Sequence, residues 1–363
     1  MAAEQLTVDL DHIDYSALTV PVARADVRLF RAQTKAAERA DPSIRTGLAT
    51  ARTVVTVIAI AVFGSVFFSS IGGVIVSGGG VRPAVAIAFV LIFGIVVAVV
   101  ARSVFGSLTR WAGLMRLSRF AATNGFSFQS STPAPNFPGC VFQYGDSRTA
   151  VDTFATPSGR FLDFGNYRYT TGSGKSRTTH HWGYLALKLD RALPNMVLDS
   201  KANNGLFGST NLPQVFSRDQ VLSLEGDFDK FFTLYCPSQY ESDALYIFTP
   251  DLMALLIDDA APFDVEIVDD WMFVYSAEDF DFLDAATCQR LFRIVQTVGA
   301  KAVSQTENYR DDRAVAAPGP GPGPGIVAPA GQRLRHGTSI GAIVFFGAIA
   351  VFWAWSTFGS SWH

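Results

Sequence analysis

Two apolar runs, 54–76 and 83–101, parted only by Ser77-Gly-Gly-Gly-Val-Arg82, limit the folds open to this chain more than any other feature. Neither contains Asp, Glu, Lys or Arg. Each is close to the roughly 20 residues that an α-helix needs to cross about 30 Å of hydrocarbon. They read as a transmembrane helical hairpin over 53–102. A third run, 340–358, has the same character and reads as a C-terminal transmembrane helix over 339–358. The chain of 363 residues is 49% hydrophobic and 17% charged, which fits a mixture of membrane spans and a folded polar body.

Basic residues fix the expected orientation. Arg39, Arg45 and Arg52 precede the hairpin, Arg102, Arg110, Arg116 and Arg119 follow it, and Arg333 and Arg335 precede the third run. Basic flanks stay on the cytoplasmic side. The expected order is a cytosolic arm over 1–52, the hairpin, a juxtamembrane helix over 103–123, and a cytosolic α+β domain over 124–313. A Pro/Gly linker over 314–338, the last span and an external tail over 359–363 follow. The expectation is a membrane-anchored α+β protein of the plasma membrane, with the bilayer as its first partner.

Formal net charge of −3 gives no basic field for nucleic acid, so none is expected as a partner. Cys140, Cys236 and Cys288 are far apart and odd in number, which points to a reducing compartment. No charge interrupts the apolar runs to mark an ion path, so a transporter or channel component ranks third among functions.

Past residue 124 the pattern changes to short alternating segments broken by Gly and Pro. It predicts strands at 140–144, 149–155, 160–164, 182–189, 230–235, 265–268 and 271–275. Leu185, Leu187 and Leu189 share one face, with Tyr184 and Lys188 opposite, facing solvent or a partner. Likewise Phe263, Val265 and Ile267 point inward, Asp264 and Glu266 outward, and Asp269-Asp270 makes a turn. Thr249-Pro250-Asp251 starts a helix, and a second is predicted over 285–308.

Gly172-Ser-Gly-Lys-Ser176 resembles the end of a phosphate-binding loop, but Tyr169 stands where that loop needs glycine and a strand follows. A hairpin tip fits better. Its Arg168, Lys175 and Arg177 are the candidate contacts for anionic lipid headgroups or an acidic partner. His180 and His181 are adjacent, so on a strand they point to opposite faces and cannot readily share a metal. Glu225-Gly-Asp-Phe-Asp229 opens like a calcium loop, yet the glycine that such a loop needs at its sixth position is missing. The acidic neighbourhood Asp258, Asp259, Asp264, Glu266, Asp269 and Asp270 reads as solvated charge, with a carboxylate site as the alternative. No cofactor or metal is expected.

Residues 222–237 (Leu-Ser-Leu-Glu-Gly-Asp-Phe-Asp-Lys-Phe-Phe-Thr-Leu-Tyr-Cys-Pro), 243–254 (Asp-Ala-Leu-Tyr-Ile-Phe-Thr-Pro-Asp-Leu-Met-Ala) and 265–271 (Val-Glu-Ile-Val-Asp-Asp-Trp) resemble a family of uncharacterised bacterial integral-membrane proteins with a domain of unknown function. Residues 193–199 and the 170–182 hairpin share in the resemblance. It implies an inner-membrane protein with a cytosolic module and supplies no activity or site residue. The expected function is a binding or scaffolding module displayed at the plasma membrane, with a membrane-bound enzyme as the alternative.

Overall fold

The computed structural model describes residues 8–40, 109–133, 135–205, 209–313 and 326–337, with five isolated positions besides. Two compact units are present, 20–119 and a larger one of 1–19 with 120–363. In the smaller unit the helix Arg24–Ala40 sets Phe30 edge-on to Trp111, with ring centroids 6.3 Å apart, and Asp26 pairs with Arg119 at 3.5 Å.

The larger unit is built on a seven-stranded sheet whose pairings are all antiparallel: β1 (Ser127–Pro133), β2 (Asp146–Ala155), β3 (Leu162–Thr171), β4 (Thr178–Ser200), β5 (Val221–Leu222), β6 (Phe232–Tyr235) and β7 (Asp264–Ser276). The 23-residue β4 is its spine. Its first half pairs with β3, its second half with β6, and β7 runs along it through both halves.

The expected membrane-anchored α+β fold is corrected. Among the described residues no helix is long and apolar enough to cross a membrane, and a large antiparallel sheet dominates the chain. The runs 54–76, 83–101 and 340–358 lie outside the described residues but for isolated positions. Multi-pass topology and plasma-membrane placement, which rested on those runs and their basic flanks, are not supported by any described helix. An apolar run of the right length is necessary for a crossing, but hydropathy does not itself show which element forms.

Both faces of the sheet are covered. On one, Phe154, Phe164 and Leu187 meet Phe120, Phe126 and the helical run Ala285–Ile294, Val295–Gly299, Ala300–Thr306. Phe164 lies edge-on to Phe292 at 5.4 Å, and a Cβ at Gly299 would touch Leu187 at 2.8 Å. The other face was expected to meet water or a partner. Instead Tyr184 is 1% exposed, because Phe137 and Phe142 fold over it, with Phe142 at 5.2 Å. The covering segment carries little regular structure: 140–144, expected as a strand, is the tight turn Cys140–Gln143. Gly139 enters it, and a Cβ there would lie 2.1 Å from the Tyr275 hydroxyl.

Asp269 explains the mistaken face on β7. Its φ of 53° and the register shifts between Lys188 and Met196 mark an irregularity shared by both strands. Asp264, Glu266 and Val268 lie on the face that Trp271, Phe273 and Tyr275 continue, so side-chain parity changes midway. The expected turn at Asp269-Asp270 is this bulge within one strand. The predicted helix over 285–308 is present from Ala285 to Thr306 with a π turn inside, and Pro250 opens its own helix. The linker assignment needs revision: 326–337, read as part of it, is docked on the sheet domain.

Candidate functional site

Where β4 and β7 pass their shared bulge, the covered face turns from aromatic to polar. Asp264 and Glu266, assigned outward from sequence, are 0% and 3% exposed. Glu266 Oε2 accepts from the Cys140 backbone N–H at 2.7 Å and from the Tyr275 hydroxyl at 2.8 Å. Asn195 donates to Glu266 Oε1 at 3.4 Å and to the Ile267 carbonyl at 3.0 Å. One step along, Asp264 Oδ1 accepts from the Ser200 N–H at 2.8 Å, and its Oδ2 from Asn203 at 3.1 Å. Asp199, also buried, accepts from Thr210 at 3.0 Å.

Burial pushes all three carboxyls up: Asp199 to about 6, Asp264 to about 7, and Glu266 above its usual range against the pull of its hydrogen bonds. Burial likewise raises the Cys140 thiol and the Tyr275 phenol. These groups are enclosed, and each carboxyl holds a covering segment on the sheet: Glu266 the 140 turn, Asp264 and Asp199 the chain that leaves β4. The row acts as a set of buried fasteners. Among the described residues, no three His, Cys, Asp or Glu side chains are gathered to hold a metal.

The remaining acids of 258–270 do separate work. Asp259 accepts from Thr297 at 2.7 Å, Asp269 makes a two-pronged pair with Arg333 at 2.9 and 3.0 Å, and Asp270 pairs with Lys188 at 2.7 Å. They do not assemble. Sequence reasoning missed Asp199, Asn195, Cys140 and Tyr275, because only the parity change at Asp269 brings them to Asp264 and Glu266.

An open cleft of about 360 Å³ lies between the helix Glu241–Ile247 and residues 308–310. Its carboxylate, Asp243, is already taken by Arg313 at 3.1 Å and the Tyr309 hydroxyl at 2.8 Å.

The β3–β4 tip holds the three basic candidates in unlike states. Gly172 at φ +77° and Gly174 at φ +57° make the turn, with Lys175 exposed between them and Arg177. Arg168 is neutralised by Asp279, which His181 also approaches at 3.2 Å. Arg177 donates to Ser147 Oγ at 2.7 Å and Thr170 Oγ1 at 3.1 Å, which fixes its guanidinium, while Arg148 on β2 donates to the Phe142 carbonyl at 2.9 Å. His180 stacks on Tyr169 at 4.8 Å and bonds Thr171 at 2.8 Å. In the stretch likened to a calcium loop, Asp227 pairs with Lys230 at 2.7 Å and a single helical turn, Phe228–Phe231, follows.

No family model matches the chain, and no curated protein matches it. Among solved structures, the mycobacterial trehalose monomycolate transport factor A is similar at 11% identity with a TM-score of 0.32, over 50% of this chain and 93% of that one. A likeness of that size carries no argument about this chain.

Proposed function

We propose that the sheet domain is a binding or scaffolding module that holds an acidic protein partner at the β3–β4 tip. The observation that supports this is charge left over. Arg148, Lys175 and Arg177 are exposed and form no ion pair among the described residues, whereas the neighbouring Arg168 is paired with Asp279. Asp146 is the acid of the same strand end, so the tip keeps a surplus of positive charge. A guanidinium oriented by two hydroxyls presents its fork to a carboxylate with little ordering left to do. The carboxyl row does not favour the enzyme reading, since the hydrogen-bond partners of Asp199, Asp264 and Glu266 come from the fold itself.

The test is fluorescence anisotropy of a labelled oligo-glutamate peptide with the full chain. Binding is expected at low salt, to weaken as salt is raised, and to fall about tenfold or more in Lys175→Glu/Arg177→Glu. Equal affinity in that variant, or no binding by the native chain at low salt, refutes the proposal.

A further inference from the structure

Residues 326–337 lie across the covered face as a strap, and the way they are held is the way grooves hold peptides. Three side chains of the body bond to strap backbone: Asp311 accepts from the Ala328 N–H at 2.8 Å, Asn195 from the Leu334 N–H at 3.0 Å, and Gln220 from the Arg335 N–H at 2.7 Å. Backbone pairing extends the grip. The Ser217 N–H donates to the Arg335 carbonyl at 3.0 Å and the Gly337 N–H to the Val215 carbonyl at 2.8 Å, with an antiparallel bridge between Phe216 and His336. Such contacts give affinity without reading sequence, while side-chain pockets and flanking charges select.

The selective contacts are on the page too. Val327 and Leu334, seven positions apart, are buried to 5% and 4% exposure. Asp269 takes Arg333 and Asp219 takes Arg335, so the acidic positions of the groove meet the basic positions of the strap. Between the anchors, Gly331 lies so close over Tyr240 that a Cβ would fall 2.5 Å from the ring. The strap's own regular structure is the single turn Pro329–Gln332, so it is shaped by the groove. It is joined to the body through 314–325, a stretch of only Ala, Val, Pro and Gly. A short tether of this kind raises the local concentration of what it carries to the order of millimolar.

We propose that residues 326–337 are a tethered occupant of a peptide groove, and that the groove's other occupant is an extended basic segment of a partner protein. That segment has two apolar side chains seven positions apart and arginines flanking the second. The strap holds the groove closed until such a segment outcompetes it. This surface is separate from the β3–β4 tip, and it stands or falls independently of the tip.

Two measurements on the full chain test it. In hydrogen exchange, the amides of Ala328, Leu334, Arg335 and Gly337 are expected to open about tenfold or more faster than the β4–β7 ladder amides of Leu185 and Val274. Exchange of both sets at one common rate overturns the proposal, because the strap then leaves only when the sheet unfolds. In the second, a labelled synthetic peptide with the 326–337 sequence is the probe. Arg333→Glu/Arg335→Glu, whose changes are at exposed side chains, and Leu334→Asp are both expected to bind it about tenfold or more tightly than the native chain, whose groove is filled. Adding Asp219→Lys and Asp269→Lys removes that binding. Absence of probe binding to variants that keep their sheet protection overturns the groove. Concentration-dependent pairing of chains through exchanged straps overturns the partner, by making a second copy the occupant.

Discussion

Replacing Asp264 by Asn removes one proton from the folding equilibrium and leaves the hydrogen bonds in place. In the fold Asp264 is buried between Ser200 and Asn203, and burial first, then the nearby Asp199, lift it from 3.8 to about 7. The folded chain therefore holds a proton that the unfolded chain releases above about pH 4. Its contribution is complete below the unfolded value and is lost as pH rises through about 7. Between pH 5 and pH 7 this one group lowers stability by about 2 kcal/mol, at about 1.4 kcal/mol per pH unit until titration begins. In Asp264→Asn the oxygen facing Ser200 is retained, and the new amide meets Asn203, whose own Oδ1 is buried without a partner and can turn to accept. Urea unfolding at pH 5, 6, 7 and 8, followed by tryptophan fluorescence, should show the variant losing about 2 kcal/mol less than the native chain over pH 5 to 7. Asp199 is electrostatically coupled to Asp264, so the difference reports Asp264 together with its effect on Asp199. Parallel curves for the two would mean that the carboxyl is ionised in the fold, and the reasoning would be wrong.

Two further substitutions probe how the covering segments are held. Gly183→Ala would set a Cβ 2.7 Å from the Phe280 ring, whose backbone is held by Asn166: the Phe280 N–H donates to Asn166 Oδ1 at 2.6 Å and Asn166 Nδ2 donates to the Phe280 carbonyl at 3.0 Å; a loss of about 1–3 kcal/mol in thermal unfolding is expected. Asp311 is held below the usual carboxylate range because hydrogen bonds from Ala328, Tyr240 and Arg313 outweigh its burial. Asp311→Ala should cost about 2–4 kcal/mol by stranding buried donors. The Asp311 contribution is present above pH 3.8 and lost as pH falls further, opposite in sign to Asp264, so acid should lower the protection of the Ala328 amide relative to its intrinsic exchange rate at the same pH.

The sequence shows elements that carry a local signal. Pro250 after Thr249 opens a helix, and the stripe of Leu291, Ile294, Val295 and Val298 yields the run that packs on Phe164 and Leu187. Strands β2 and β6 stand close to where alternation puts them. What was not legible depends on a single backbone angle. With Asp269 at φ 53°, alternation counted forward from Phe263 describes only half of β7, and reading Asp269-Asp270 as a turn is the natural error. The polar row followed that error, since residues that look solvent-facing at 264 and 266 face Tyr275 and Cys140. The strap was hidden for another reason. Its contacts are made by backbone, and a Pro-Gly tether beside it makes its composition resemble a linker.

Glu266 separates a fastener from a reactive acid most sharply. If the carboxyl serves to accept from the Cys140 N–H and the Tyr275 hydroxyl, then any acceptor of the same shape should serve. Gln supplies one: its carbonyl can take the Oε2 position, and the amide then faces Asn195, whose bond at 3.4 Å is the weakest of the set and whose stronger one, to the Ile267 carbonyl, survives. Glu266→Gln should change unfolding free energy by less than about 1 kcal/mol, because the amide keeps the acceptor that the two buried donors need. Glu266→Ala strands two buried donors and opens a void, which together cost about 3–5 kcal/mol. The damage should appear first at the Cys140–Gln143 turn, as faster exchange of the Cys140 amide while the β3–β4 ladder stays protected. Equal damage from Gln and Ala would show that the fold needs the negative charge itself. The buried row would then be an ionised centre held by something other than hydrogen bonds.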